Sequence, residues 1–200
     1  MIHPLTEVRY ISAEKGYGVV AKQPIPKGTI TWVMDKLDRV FTPIEIATIG
    51  ADYQPIIATY CFIDAQGNYV LCWDNERYIN HSFNANCITT AYDFTIAVRN
   101  IEQEEEITND YGFLNVNNSF DCAREANSDR TKVDPNDFLT CFKKWDEQVA
   151  EAFVLIPKVE QPLMKWLPKN VQQKIADVVE NGAAIDSVIT CYHKIIDNNV

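Results

Sequence analysis

Hydrophobic and polar positions divide the chain into two regimes, with the change near Asp134. Before it, short runs rich in Val, Ile, Thr, Tyr and Phe alternate with Gly, Pro, Asn and Asp clusters. Gly18-Val19-Val20-Ala21, Thr29-Ile30-Thr31-Trp32-Val33 and Thr95-Ile96-Ala97-Val98 are of this kind, and the pattern predicts strands. Ala65-Gln66-Gly67-Asn68 separates Tyr60-Cys61-Phe62-Ile63 from Tyr69-Val70-Leu71-Cys72, which predicts a hairpin with a loop longer than two residues. Thr42 can cap a short helix with Pro43 at its first position and Glu45 in its first turn, and no other helix is predicted in the first 120 residues.

After Asp134 the period becomes helical. Asp134 and Pro135 supply a cap and a first position, and Phe138, Phe142, Trp145, Val149 and Phe153 recur every three or four residues. A second helix is predicted from Val171 to Val179 and a terminal one through Ile185, Val188, Ile189, Tyr192 and Ile196, with Pro157, Pro162 and Pro168 interrupting the connection. These aromatic and aliphatic stripes are read as core packing. Residues 115–133, rich in Asn, Asp, Ser and Arg, read as a loop. The expected organisation is therefore 1–114, 115–133 and a helical extension over 134–200.

Composition narrows the function classes. The 200 residues carry 18 Lys+Arg against 28 Asp+Glu, a net charge of −10, with 46% hydrophobic residues. A chain of this length and apolar content can bury a real core. Its acidity disfavours phosphate backbones and anionic lipid and suits a basic partner, so neither direct nucleic-acid binding nor a membrane role is expected. The longest apolar run, Pro55 to Ile63, is far short of the ~20 residues of a membrane span. No secretory signal pattern is visible at Met1-Ile2-His3-Pro4-Leu5, and the expected compartment is the cytoplasm, with the nucleus as the alternative. Six scattered cysteines without a Cys-x-x-Cys pair read as reduced thiols.

Three stretches carry candidate chemistry. Lys15-Gly16-Tyr17-Gly18 leads directly into a strand, and its glycines permit either a tight turn or a close backbone approach to a ligand, although the full dinucleotide fingerprint is absent. Arg77-Tyr78-Ile79-Asn80-His81-Ser82-Phe83-Asn84-Ala85-Asn86-Cys87 mixes polar hydrogen-bonding and aromatic side chains, as a small ligand with polar and apolar parts requires. Taken alone, His81 reads first as a satisfied core or turn histidine. Glu104-Glu105-Glu106-Ile107-Thr108-Asn109-Asp110-Tyr111-Gly112-Phe113 alone reads as a solvated turn and a strand.

In this order and spacing the three stretches resemble the SET domain, the fold of most protein-lysine methyltransferases, from about Glu7 to Phe113. The resemblance implies an α+β, mainly β fold of small curved sheets with a chain pseudoknot. It implies S-adenosyl-L-methionine as cofactor, with Lys15, Gly16, Tyr17, Gly18, Asn80, His81 and Tyr111 in its pocket. Tyr111 would also be the catalytic tyrosine, at a channel through which a lysine of a basic, histone-like or ribosomal protein enters. In-line transfer from a sulfonium needs mainly a placed, neutral amine, and a nearby positive charge and desolvation both favour that neutral form. Glu106 and Asp110 are read as structural.

Departures from the family pattern are equally specific. The positions of the family's zinc-binding thiolates fall on Phe83, Cys122, Arg124 and Asp129, so no metal site is expected. The segment from Phe113 to Phe153 is expected to complete the lysine channel instead, with Phe113 or Phe120 against the adenine. Ala85 stands where the family has Pro. Glu104 stands where it has Gly, which suggests a different turn before the last strand. A non-catalytic SET-like binding module and methyl transfer to a non-lysine acceptor remain the competing readings.

Overall fold

The computed structural model describes residues 1–194. The strands in chain order are β1 (Thr6–Ser12), β2 (Gly16–Ala21), β3 (Ile30–Val33), β4 (Arg39–Phe41), β5 (Cys61–Ile63), β6 (Tyr69–Leu71), β7 (Asn80–His81), β8 (Cys87–Thr89), β9 (Phe94–Ala97), β10 (Glu106–Asn109), β11 (Phe120–Asp121) and β12 (Lys132–Val133). The helices are α1 (Pro43–Thr48), α2 (Gln54–Tyr60), α3 (Asp137–Phe153) and α4 (Lys169–Asn181). No helix among the described residues is long and apolar enough to cross a membrane.

The strands form small sheets in the orders β1-β2-β10-β7, β3-β9-β8, β4-β6-β5 and β11-β12. This is the expected α+β architecture. The first sheet is the one that matters for the site. Strand β10 pairs antiparallel with β2 (Glu106 opposite Val20) and parallel with β7 (Thr108 opposite Asn80, Asn109 opposite His81). Buried Asn86 grips β10 a second time: its Nδ2 donates to the Glu106 carbonyl at 2.8 Å and its Oδ1 accepts from Thr108 N–H at 2.9 Å. Residues 80–87 thus wrap the last strand of the domain.

Local chemistry fixes several elements as the sequence predicts. Thr42 and Glu45 form a reciprocal capping box with Pro43 at the first position of α1. The β5–β6 hairpin has Cys61 opposite Leu71, and the Asp64 side chain accepts from the amides of Gln66 and Asn68 across its loop. Helix α3 buries Phe138, Trp145, Val149 and Phe153 against Ile30, Val33, Ile88, Phe94 and Ile96 of the β3-β9-β8 sheet. The C-terminal helices and that sheet therefore share one core.

Four local expectations need correction. Helix α3 begins at Asp137, because the Asp134 carboxylate accepts from the Asn136 amide and closes a turn ahead of the helix. Helix α2 has no counterpart in the sequence pattern; Pro55 starts it and its buried face is narrow, with Ile57 its only buried residue. The terminal helix is absent from the described residues: Gly182 ends α4 at φ 67°, and only a 3-10 turn at Val188–Cys191 follows. There Ser187 and Val188 are tied to the Asp146 carboxylate of α3 at 2.5 and 2.8 Å, and Ile196 lies outside the described residues. Finally, Glu104 holds φ 69° in a turn closed by Glu105 N–H to the Glu102 carbonyl, so the turn is one a glycine would fit.

Candidate active site

Strands β2, β7 and β10 bring the predicted residues together around one carboxylate. Glu106 accepts from Lys15 Nζ at 2.6 Å and from Asn80 Nδ2 at 2.7 Å, while Asn80 Nδ2 also reaches the Tyr17 carbonyl at 3.1 Å. Gly18 makes this approach possible: a Cβ there would lie 2.6 Å from Glu106 Oε1 and 2.8 Å from Asn80 Nδ2. Gly16 adopts φ 70° at the start of β2 with open space where a side chain would stand. The Tyr17 ring faces solvent, edge-on to Tyr10 at 5.9 Å, so this residue joins the cluster through its backbone.

His81 and Tyr111 form the inner part. Tyr111 N–H donates to His81 Nδ1 at 3.0 Å, which leaves the proton of the neutral imidazole on Nε2. Burial lowers the His81 pKa, against the opposing pull of Asp110 and Glu125. Nε2 is then a buried donor, and it has no partner among the described residues. The Tyr111 hydroxyl donates to the Ile79 carbonyl at 2.6 Å, leaving its lone pairs as acceptors. Burial pushes its pKa up to about 12, so the phenol is neutral at pH 7.

On the other side of Tyr111 lies a cleft of about 690 Å³ between the α2–β6 region and residues 109–120. Of the seven predicted site residues only Tyr111 lines it. Phe113 and Phe120 line it as well, with Glu76, Asp64 and Asp93 among its polar residues and Arg77 its basic one. Phe113 also packs on Phe138 at 4.7 Å, which couples the cleft wall to α3.

Residues 115–133 are latched to the motif segment by two charged residues that the sequence did not single out. The Glu125 carboxylate accepts from Ser82 Oγ at 2.9 Å, Phe83 N–H at 3.1 Å and Asn84 N–H at 3.2 Å. The Arg130 guanidinium lies 4.4 Å from the Phe83 ring centroid and bonds to the carboxylates of Asp110 and Asp137, the latter at 2.5 Å. Asp110 in turn caps the turn holding Tyr111 by accepting from Gly112 N–H at 3.0 Å. The positions that the resemblance aligns with zinc ligands thus contribute Phe83 to a salt-bridged aromatic clasp. Glu106 belongs to the third motif stretch, but its role as a hub had no linear signal, and neither did Glu125 or Arg130, since their partners lie 20 to 91 residues away except for Asp137.

These features define a class: an α+β domain of small sheets whose last strand is wrapped by an Asn-His segment, with a polar cluster on one side of a buried tyrosine and a cleft on the other. Comparison with known proteins gives it a name. The family model of the SET domain matches residues 16–112, the stretch that holds all three motif segments but for Lys15 and Phe113 at its ends. The histone-lysine N-methyltransferase ash1 of Drosophila melanogaster is 32% identical over 123 residues, 56% of this chain, and the chain spans only 5% of that relative's length. The crystal structure of the methyltransferase domain of human histone-lysine N-methyltransferase SETMAR is similar at a TM-score of 0.48 and 18% identity, over 66% of this chain and 58% of that one.

Proposed function

We propose that this protein is an S-adenosyl-L-methionine-dependent protein-lysine methyltransferase acting on a basic protein. The observation that carries the reading is the position of Tyr111, bonded through its backbone to His81 in the polar cluster and itself lining the cleft. The residues of the cluster fit the cofactor. The buried His81 Nε2–H is a donor awaiting an acceptor, Gly16 leaves open space, and Lys15 with Glu106 offers both signs of charge to an amino-acid zwitterion. When bound, S-adenosyl-L-methionine supplies a methyl group on a sulfonium that departs as a neutral thioether.

The chain's own task is placement. The Tyr111 oxygen, its hydrogen committed to Ile79, can accept an N–H of an incoming amine and so fix the direction of the nitrogen lone pair. An amine that arrives as the ammonium must shed its proton before it can attack, and burial at Tyr111 favours that loss. Carboxylates outnumber basic groups in the cleft and in the whole chain, whose net charge is −10, and this favours a lysine-rich partner of histone-like or ribosomal type. The cytoplasm is the proposed compartment. The test is incubation with isotopically labelled cofactor and a panel of basic proteins, followed by mass spectrometry of the acceptor residue. Label on lysine supports the proposal; cofactor binding without transfer to any of them points to a binding module.

A further inference from the structure

Near Tyr111, Glu76 lines the cleft wall from the 3-10 turn at Asn75–Tyr78. Its Oε2 is shielded from solvent and has no hydrogen-bond partner among the described residues, while Oε1 meets only Asn109 Nδ2, at 3.5 Å. Asn109 also lines the cleft, and its own Oδ1 is a second buried acceptor without a partner. A third acceptor is the Tyr111 oxygen, whose hydrogen points to Ile79, the residue following that same turn. The cleft thus offers three such acceptors, while the donors on its lining include the Asn109 amide, already turned to Glu76, and the unpartnered Nε–H of Arg77. A primary ammonium presents three donors and one positive charge.

We propose that Glu76, with Asn109, binds the cationic head of the incoming lysine side chain and selects a cation over a neutral group of the same size. The inference rests on reading this cleft as the acceptor's entrance. Its electrostatics agree: burial first, then the carboxylates of Asp74 and Asp38, hold the Glu76 carboxyl well above the usual range against the opposing pull of the N-terminal ammonium, the condition that an arriving cation relieves. An uncompensated carboxyl at such a place is costly to the fold by itself, and binding a cation recovers that cost.

The probe is n-butylammonium, a mimic of the lysine head, with 1-butanol as its neutral counterpart. Binding of each to the full chain at neutral pH is followed by amide chemical shifts. Wild type should prefer the ammonium. Glu76→Gln should weaken ammonium binding about tenfold or more while leaving 1-butanol binding unchanged, a charge-assisted bond being lost. Equal or weaker binding of the ammonium by wild type overturns the proposal whether or not the variant folds. So does undiminished ammonium binding by a Glu76→Gln protein with wild-type thermal stability. In the methyl-transfer assay the same variant should raise KM for the acceptor more than it lowers kcat. Glu76-dependent ammonium binding in a protein that transfers no methyl group would sink the methyltransferase reading and leave the cation site standing.

Discussion

Replacing Arg130 with methionine tests the clasp that holds Tyr111 in place. The guanidinium is 25% exposed, while the Asp110 and Asp137 side chains it joins are 6% and 11% exposed, so truncation strands two nearly buried carboxylates. Removing one member of a fully buried ion pair costs about 3–5 kcal/mol. The partial exposure of Arg130 and the amide of Gly112, which still donates to Asp110, reduce this to about 2–3 kcal/mol for Arg130→Met. Urea unfolding at pH 7 measures the loss, provided the denaturant slope is unchanged. A double-mutant cycle with Asp110→Asn should show strong coupling, since the neutral amide in that variant no longer needs the cation. Because Asp110 precedes Tyr111, Arg130→Met should also lose methyl transfer beyond its loss of stability. A change below about 0.5 kcal/mol with full activity would refute the reasoning, for then the clasp would be an ordinary surface salt bridge.

Three further outcomes follow from the same structure. Gly28→Ala should destabilise by about 1–3 kcal/mol in urea, because φ is 92° and the added Cβ would meet Leu155 Cβ at 2.6 Å, where the turn packs on the end of α3. Glu125→Ala should cost about 1.5–3 kcal/mol in the same assay, with Glu125→Gln retaining part of the stability, since three donors lose a charged acceptor. Stability should fall as the pH drops from about 6.5 toward 4, because burial holds His3 neutral with a pKa of about 4 and lowers His81 in the same direction. The unfolded chain then binds protons that the folded one refuses, a loss of about 3 kcal/mol from His3 that a His3→Gln variant should not show.

What was legible in the sequence was what is local. Gly16-Tyr17-Gly18, Asn80-His81 and Asp110-Tyr111 are short linear patterns, and each sits on one strand or turn of the first sheet. The capping box at Thr42 and the Asp64 loop are equally local, because donor and acceptor are at most four residues apart. The hub at Glu106, the latch at Glu125 and Arg130, and the unpartnered carboxyl of Glu76 depend on the pairing of residues 106–111 with the distant segment 80–87, which no periodicity encodes. The terminal helix failed for a related reason. Ile185, Val188, Ile189 and Tyr192 have helical spacing because the segment returns to the core at that interval, but Asp146 and Tyr92 capture its backbone amides and hold it out of a helix.

The central claim is that Tyr111 stands where an acceptor amine in the cleft meets the cofactor cluster at His81. Its most direct test compares wild type with Tyr111→Phe, measuring S-adenosyl-L-methionine affinity by calorimetry and methyl transfer to a basic protein by mass spectrometry. Loss of most transfer with cofactor affinity kept within about threefold is the predicted result, since the backbone bond to His81 stays and only the hydroxyl, with its bond to the Ile79 carbonyl, is removed. Full transfer by the phenylalanine variant would contradict the account.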